Sequence, residues 1–265
     1  MEKARYELAK KTILQAGKLL EKADVEMLSI LQKTDQQDIV TQFDKMTESF
    51  ISSVLLSEFP NDTVIGEEFP AVEGTEYVWY IDPIDGTTNF VSQRHDYCIS
   101  IACYKGKEPC FGFVLDVRRN HLYEANIGRG AYRNNLPIQC AELKPVQDLV
   151  LTTPMITALF LKTHKNQRTF IDLANKVRGV RSKGSVALEM CLVAAGEADV
   201  FATVHSGPWD YAAAKIILQE AGGACGTFEK TVLPFQGDST ILAASSEELL
   251  QQLYQYFNCK TEKNR

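Results

Sequence analysis

The sequence predicts an α+β fold in its first half and an α/β arrangement in its second half, stacked as layers of sheet and helix. Three observations support this class. Apolar residues recur at helical spacing in two segments before residue 58, short segments rich in β-branched and aromatic residues follow between residues 77 and 125, and strands alternate with helices after about residue 145. The chain of 265 residues, 45% apolar and 23% charged, has the composition of an ordinary globular protein.

The first half begins with two predicted amphipathic helices. Apolar side chains fall three and four residues apart over residues 3–23 and again over residues 41–57, so each helix is expected to bury one face. The segments that follow predict an antiparallel meander, because Gly106 and Asn120 lie where hairpin turns would fall. Its predicted strands are residues 77–81, 97–104, 110–117 and 121–125.

The second half alternates strands with helices. The predicted strands are residues 150–152, 200–204 and 241–244, and the predicted helices are residues 169–176, 184–196, 208–221 and 246–257. No repeat and no linker rich in Pro, Gly or Ser separates the halves. The sequence therefore predicts one unit of two packed lobes, an α+β lobe at residues 1–145 and an α/β lobe at residues 146–265.

Charge, cysteine content and hydropathy argue against several classes of partner. Lys and Arg number 28 against 34 Asp and Glu, a net charge of −6, and no dense basic cluster is present, which disfavours nucleic acid as a partner. The seven cysteines include no C-x-x-C pair, which is typical of reduced thiols. The sequence shows neither a leader nor an apolar stretch of about 18 residues, so we expect a cytoplasmic protein with no membrane partner.

Two aspartates dominate the most informative motif, which runs from Ile81 to Phe90 with the sequence IDPIDGTTNF. Asp82 and Asp85 leave the end of a predicted strand, and the proline between them stiffens the turn. Paired carboxylates form a hard-oxygen site that favours Mg²⁺ or Mn²⁺. The backbone N–H groups after Gly86 can hold an anion such as phosphate. The alternative interpretation is an Asp-rich turn without a ligand.

Three further acidic positions lie at element boundaries. Glu67 follows an apolar run, whereas Asp44 and Asp210 each begin a predicted helix. Each position also has a local explanation, respectively a solvated acidic turn, a helix cap and a favourable interaction with a helix dipole. These residues form a site only if the fold brings them together with Asp82 and Asp85.

Taken together, these motifs are similar in type, order and spacing to those of the inositol monophosphatase family, which belongs to the Mg²⁺-dependent, lithium-sensitive phosphatase superfamily. The resemblance extends over nearly the whole chain. It implies a layered αβαβα sandwich, a phosphomonoesterase that hydrolyses inositol monophosphate or a related small phosphate, and a homodimer. The matching positions are Lys33 and residues 38–44, 66–68, 82–90, 209–210 and 220–223.

The resemblance implies that carboxylates hold two Mg²⁺ ions, or three with a weaker site near Glu67, with Mn²⁺ as a possible substitute. Glu67, Asp82 and the backbone carbonyl of Ile84 would hold one ion. Asp82 would also bind the second ion, together with Asp85 and Asp210. Two ions can share the activation of the attacking water and the stabilisation of the leaving oxygen in an in-line displacement.

The resemblance assigns the other catalytic and phosphate-binding roles to residues near these ligands. Thr87, polarised by Asp44, would take or orient the proton of the attacking water, beside the catalytic Glu67. The N–H groups of Gly86 and Thr87 would bind the phosphate. Lys33 would lie nearby, and an exposed lysine before a loop is the alternative interpretation of that residue.

The resemblance also implies contacts to the alcohol part of the substrate, through Gly184 and Ser185, and through Asp85 and Asp210. At one position the chain departs from the family. Inositol-specific members carry a glutamate where this chain has Thr203, and the loss of a buried acceptor for a substrate hydroxyl broadens specificity. Thr203 would therefore line a wider pocket.

Two alternatives to an inositol phosphatase stay open. The same chemistry can act on the 2′-phosphate of NADP(H), on fructose-1,6-bisphosphate or on 3′-phosphoadenosine 5′-phosphate. A catalytically silent member that binds a phosphorylated metabolite as a sensor is the other alternative.

A glycine-rich segment after the predicted meander has a simpler interpretation. Gly128 and Gly130 form half of a G-x-G-x-x-G motif, but Arg133 occupies the last position and no helix is predicted there. This segment predicts a hairpin turn rather than a dinucleotide-binding loop.

Overall fold

The structure is a computed structural model in which residues 2–22, 30–32, 39–154 and 167–261 are described. In these ranges the helices are α1 Glu2–Glu21, α2 Gln42–Glu58, α3 Thr87–Ser92, α4 Gln167–Ala174, α5 Val186–Ala194, α6 Pro208–Glu220 and α7 Glu247–Thr261. The strands are β1 Ile30–Gln32, β2 Ile39–Thr41, β3 Thr63–Gly66, β4 Val78–Asp85, β5 Cys98–Lys105, β6 Glu108–Asp116, β7 His121–Asn126, β8 Ala131–Arg133, β9 Leu136–Ile138, β10 Val150–Thr152, β11 Gly179–Arg181, β12 Val200–Thr203, β13 Ala224–Gly226 and β14 Ile241–Ala244.

The larger sheet contains the predicted meander. Its strand order is β3-β4-β5-β6-β7-β8-β9, with β3 parallel to β4 and every later pair antiparallel. Gly106 and Asn120 adopt positive φ angles of 62° and 50° in the turns that follow β5 and β6, as the sequence predicts. Gly128 and Gly130 lie in the turn between β7 and β8, so the predicted hairpin is confirmed.

The smaller sheet has the strand order β11-β10-β12-β14-β13. β10 is parallel to β11 and to β12, whereas β14 is antiparallel to both of its neighbours. Because β10 and β12 run in the same direction, Thr152 and Thr203 lie at the same end of this sheet, and Asp199 lies at the opposite end.

Three apolar clusters separate the layers of the fold. α1 and α2 pack on one face of the larger sheet around Trp79, and α5 and α6 pack on its other face around Tyr104. α5 and α6 also cover the smaller sheet at Phe201, while α4 and α7 cover its far face around Leu151. The order of layers is therefore helix, sheet, helix, sheet, helix, which confirms the predicted αβαβα sandwich.

Several boundaries differ from the sequence prediction for physical reasons. α5 begins at Val186 rather than at residue 184, because Gly184 has a φ of +80° and Ser185 is extended and caps the helix. The short strands β1, β2, β8, β9, β11 and β13 are absent from the prediction. Each is three residues long, so no alternation of apolar and polar residues marks it; β10 is equally short and is predicted from its β-branched residues.

Within the described ranges, no helix combines the length and apolar character that crossing a membrane requires. The cysteines whose side chains are described are free thiols, and four of the six are buried.

Candidate active site

The C-terminal end of β4 delivers two buried aspartates to one place. Asp82 and Asp85 are 1% and 8% exposed, and the backbone between them departs from regular pairing with β5. Gly86 follows with a φ of 94° and leads into α3. A Cβ atom at Gly86 would lie 3.1 Å from the carbonyl oxygen of Asp96, so both the conformation and the space favour glycine.

Asp85 is held by donors from the start of α5. The Ser185 hydroxyl donates to Asp85 Oδ2 over 2.6 Å, and the N–H groups of Val186 and Ala187 donate to the same carboxylate over 3.1 and 2.6 Å. Burial, followed by repulsion from Asp210, raises the pKa of Asp85 to about 7, and these three donors oppose the increase.

Asp210 lies in the first turn of α6, which begins at Pro208. Its Oδ2 atom accepts hydrogen bonds of 2.8 Å from the Ser206 hydroxyl and 2.8 Å from the Gly207 N–H. Burial raises its pKa. The negative charge of Asp210 contributes to raising the pKa of Asp82, so a proton or a cation near the two carboxylates would stabilise them.

Glu67 completes a group of four acidic residues, which we call the carboxylate cluster: Glu67, Asp82, Asp85 and Asp210. Burial raises the pKa of Glu67 to about 9, and the negative charge of Asp210 adds to the increase. Burial also raises the pKa of Asp82 well above its usual value, and after burial the negative charge of Glu67 contributes most to the increase. The structure therefore places the four carboxylates close enough to repel one another.

As placed, no three His, Cys, Asp or Glu side chains of the described part of the chain converge into a ligand set. Asp85 accepts hydrogen bonds from the start of α5, and Asp210 accepts from Ser206 and Gly207. The donor chemistry nevertheless fits a hard divalent cation. All four side chains supply oxygen ligands, and burial together with neighbouring carboxylates raises the pKa values of Glu67, Asp82 and Asp85. Among the described residues, no lysine or arginine contributes strongly to the pKa of any of the four.

A hydroxyl group lies beside this cluster. Thr87 Oγ1 is 3.2 Å from Asp44 Oδ1 and 3.0 Å from the carbonyl oxygen of Ile84, and these two acceptors share its single proton. Asp44 is 1% exposed in the first turn of α2. The structure thus brings together Thr87, Asp44 and the Ile84 carbonyl, which come from separate elements.

The residues expected near the substrate alcohol do not all lie beside the carboxylate cluster. Gly184 and Ser185 lie beside Asp85, because Ser185 donates to it directly. Thr203 ends β12, is 1% exposed, and donates its hydroxyl to the carbonyl oxygen of His205 over 3.2 Å. Lys33 lies outside the described residues.

Sequence reasoning missed three polar residues that hold the loops of the site. Glu48 accepts hydrogen bonds from the N–H groups of Glu68 and Phe69, in the loop that carries Glu67. Asn89 and Glu189 both bind the segment before Ser185. A signal was available for Glu189, because it is the single charged residue in the apolar helix α5.

Comparison with known proteins gives a family and close structural relatives. A model described as the inositol monophosphatase family matches residues 1–262. The inositol-1-monophosphatase of Bacillus subtilis is 37% identical over 246 residues, which cover 90% of this chain and 91% of that protein. Crystal structures of the staphylococcal protein SaIMPase-II bound to inositol monophosphate and to 2′AMP each have a TM-score of 0.84 and 31% identity, covering 98% of this chain and 96% of theirs.

Proposed function

Because this chain belongs to the inositol monophosphatase family and is a phosphatase, we propose that it hydrolyses small phosphomonoesters at the carboxylate cluster with Mg²⁺. The observation that carries this proposal is the burial of Asp82 and Asp85 at the end of β4, where the charges of Glu67 and Asp210 also raise the pKa of Asp82; a divalent cation would relieve this repulsion. The family is generally Mg²⁺-dependent.

The proposed ligand sets are those that the family resemblance implies. Glu67, Asp82 and the Ile84 carbonyl would hold one Mg²⁺, and Asp82 would share a second with Asp85 and Asp210. Bound Mg²⁺ supplies charge neutralisation for the phosphate and lowers the pKa of a water. A third, weaker ion near Glu67 and replacement by Mn²⁺ belong to the same proposal and are supported by the family resemblance.

The chain's own groups would orient the reactants. The Thr87 hydroxyl, held against Asp44, would fix the direction in which the attacking water gives up its proton. The N–H groups of Gly86 and Thr87 would bind phosphate oxygens at the start of α3. Ser185 and Gly184 would contact the alcohol part of the substrate, and Lys33 would assist from the segment before β2.

Inositol monophosphate is the main proposed substrate, and Thr203 is the observation that favours a broader set. Its hydroxyl donates to its own loop, and it carries no charge with which to accept strongly from ring hydroxyls. SaIMPase-II has been crystallised with inositol monophosphate bound and also with 2′AMP bound, so that protein binds both types of ligand. NADP(H), fructose-1,6-bisphosphate and 3′-phosphoadenosine 5′-phosphate are therefore the second candidates.

Phosphate release with Mg²⁺, with and without Li⁺, tests the proposal across inositol-1-phosphate, 2′-AMP, NADP⁺, fructose-1,6-bisphosphate and 3′-phosphoadenosine 5′-phosphate. The highest kcat/KM on inositol-1-phosphate, with inhibition by Li⁺, supports the main proposal. The highest kcat/KM on a nucleotide or bisphosphate supports the second candidates. A folded protein that binds these compounds but releases no phosphate contradicts hydrolysis and supports the sensor alternative.

The assembly and location of the protein are also proposals. The family resemblance supports a homodimer, and the free thiols of the described cysteines are those expected in the cytoplasm. Sedimentation of the purified protein tests the first of these.

A further inference from the structure

We propose that Glu189 is a positioning residue that fixes the segment Lys183–Ser185 and, through Ser185, the carboxylate of Asp85. The inference rests on the proposed function, because Asp85 is a proposed metal ligand. In this proposal, Glu189 itself contacts neither the metal nor the substrate. Its effect would reach the site through the backbone of Gly184.

The burial of Glu189 requires an explanation. Its side chain is 0% exposed and lies in α5 among Leu188, Met190 and other apolar residues. A buried carboxylate costs free energy unless its oxygens accept hydrogen bonds, and burial raises the pKa of Glu189 to about 7. Three hydrogen bonds to the Glu189 carboxylate offset this cost.

The contacts of Glu189 point out of its helix. Oε1 accepts hydrogen bonds from the N–H groups of Lys183 and Gly184, over 2.7 and 3.0 Å. Oε2 accepts from the hydroxyl of Thr152, at the end of β10. The carboxylate therefore ties the segment Lys183–Ser185 to the smaller sheet.

The same segment is held from its other side by Asn89 in α3. The Asn89 side-chain nitrogen donates to the carbonyl oxygens of Lys183 and Asp96, over 2.6 and 2.7 Å. Gly184, the next residue after Lys183, has a φ of +80°, and a Cβ atom on it would lie 3.0 Å from Asn89 Nδ2. The segment is held between Glu189 and Asn89, and a side chain at Gly184 would crowd the Asn89 amide.

This segment leads directly into the donors to Asp85. Ser185 is the next residue after Gly184, and its hydroxyl donates to Asp85 Oδ2 over 2.6 Å. The N–H groups of Val186 and Ala187 are two further donors to Asp85 from α5. Displacing Gly184 would therefore shift the groups that orient Asp85, and partners that orient metal ligands are worth on the order of tenfold in metal affinity.

The test compares Glu189→Ala with Glu189→Gln. Alanine leaves the N–H groups of Lys183 and Gly184 without their acceptor, whereas the Gln oxygen can accept from both and its NH₂ group can donate to Thr152. Binding of Mn²⁺ is measured by electron paramagnetic resonance of the free ion, without substrate. Kinetics with inositol-1-phosphate and thermal unfolding are measured in parallel.

The matched control is Asp199→Ala. Asp199 is also a buried carboxylate of the smaller sheet, 1% exposed, and it accepts from the Val150 N–H over 2.7 Å, but it lies at the opposite end of the strands. Its removal should lower Tm and leave the Kd for Mn²⁺ unchanged.

We expect Glu189→Ala to raise the Kd for Mn²⁺ by on the order of tenfold and to lower kcat, while Glu189→Gln stays within about threefold of the wild type. A folded Glu189→Ala protein with the wild-type Kd overturns the inference, as does an equal rise in Kd for Asp199→Ala. If Glu189→Ala does not fold, Glu189→Asp, which is too short to reach both N–H groups, should raise the Kd, and an unchanged Kd overturns the inference.

These readouts separate the inference from the proposed function. Wild-type protein that binds Mn²⁺ but hydrolyses none of the substrates contradicts the proposed function, and a raised Kd in Glu189→Ala then still supports positioning of Asp85. Wild-type protein that hydrolyses substrate with unchanged Mn²⁺ binding in Glu189→Ala contradicts positioning alone.

Discussion

Ser185 donates a 2.6 Å hydrogen bond to Asp85 across 100 residues of sequence. The bond joins the N-cap of α5, from the second half of the chain, to the end of β4 in the first half. It gives one residue two roles, because the same hydroxyl accepts from the Leu188 N–H and begins the helix. The orientation of Asp85 therefore depends on the start of α5.

Ser185→Ala should weaken the proposed metal site more than it weakens the fold. One of the three donors that the start of α5 supplies to Asp85 is lost, so the Mg²⁺ concentration for half-maximal activity should rise by on the order of tenfold. Loss of the cap should cost about 1 kcal/mol in unfolding free energy. Ser246→Ala removes a comparable hydroxyl that accepts from the Leu249 N–H at the start of α7, and it should leave the Mg²⁺ dependence unchanged. Equal Mg²⁺ dependence in wild type and Ser185→Ala would refute the role of this bond.

Thr87→Val should lower kcat by on the order of 10²-fold with little change in KM, because an isosteric side chain without the hydroxyl cannot orient the water. Thr87→Ser restores the hydroxyl and should recover most of the rate. Thr88→Val, one residue further along α3 and exposed, serves as the control and should be near wild type. A Thr87→Val enzyme with wild-type kcat would remove Thr87 from the proposed mechanism.

Much of this site could be predicted because its most informative residues are neighbours in sequence. Asp82, Asp85 and Thr87 lie on one strand end and the helix after it, so a single motif identifies them. The antiparallel meander could also be predicted from the sequence, since its strands are long and its turns carry Gly106 and Asn120.

The contacts that orient the site could not be predicted. Glu189 binds Thr152, which is 37 residues away, and Asn89 binds Lys183, which is 94 residues away. Such pairs arise from the stacking of two sheets through α5, and nothing in local periodicity encodes the partner. The proximity of Glu67 to Asp210 likewise depends on tertiary packing.

Arg5→Met should destabilise the protein by about 3–5 kcal/mol without changing the activity of the folded fraction. Arg5 is 3% exposed and pairs with Asp62, which is fully buried and also accepts from the Trp79 indole over 2.9 Å. Removing the guanidinium leaves a buried carboxylate without its counter-charge. Urea unfolding measures the effect.

Arg178→Met is the control for this prediction, because Arg178 forms an exposed ion pair with Asp148 and its loss should cost less than about 1 kcal/mol. Equal destabilisation by the two substitutions would contradict the importance of the buried pair.

Glu189→Gln should change how stability depends on pH. Because burial raises the pKa of Glu189 to about 7 in the folded protein, the native state binds its proton more tightly than the unfolded chain does. Its contribution to stability is therefore complete below the ordinary glutamate pKa and is lost as the pH rises through about 7. As the pH rises from the ordinary glutamate pKa to above 7, the unfolding free energy of the wild type should fall by up to about 3 kcal/mol relative to that of Glu189→Gln. Urea unfolding in EDTA measures this difference. A difference that is constant with pH would show that Glu189 does not titrate there.

The measurement that tests the central claim most directly is Mg²⁺-dependent phosphate release by Asp82→Asn, together with Mn²⁺ binding by the same protein. Asp82 is buried near the end of β4 and is the ligand that both proposed ions would share. We predict a folded variant whose phosphate release falls to the background rate and which binds fewer Mn²⁺ ions than the wild type. Near-normal kcat/KM in folded Asp82→Asn would contradict the assignment of the reaction to the carboxylate cluster.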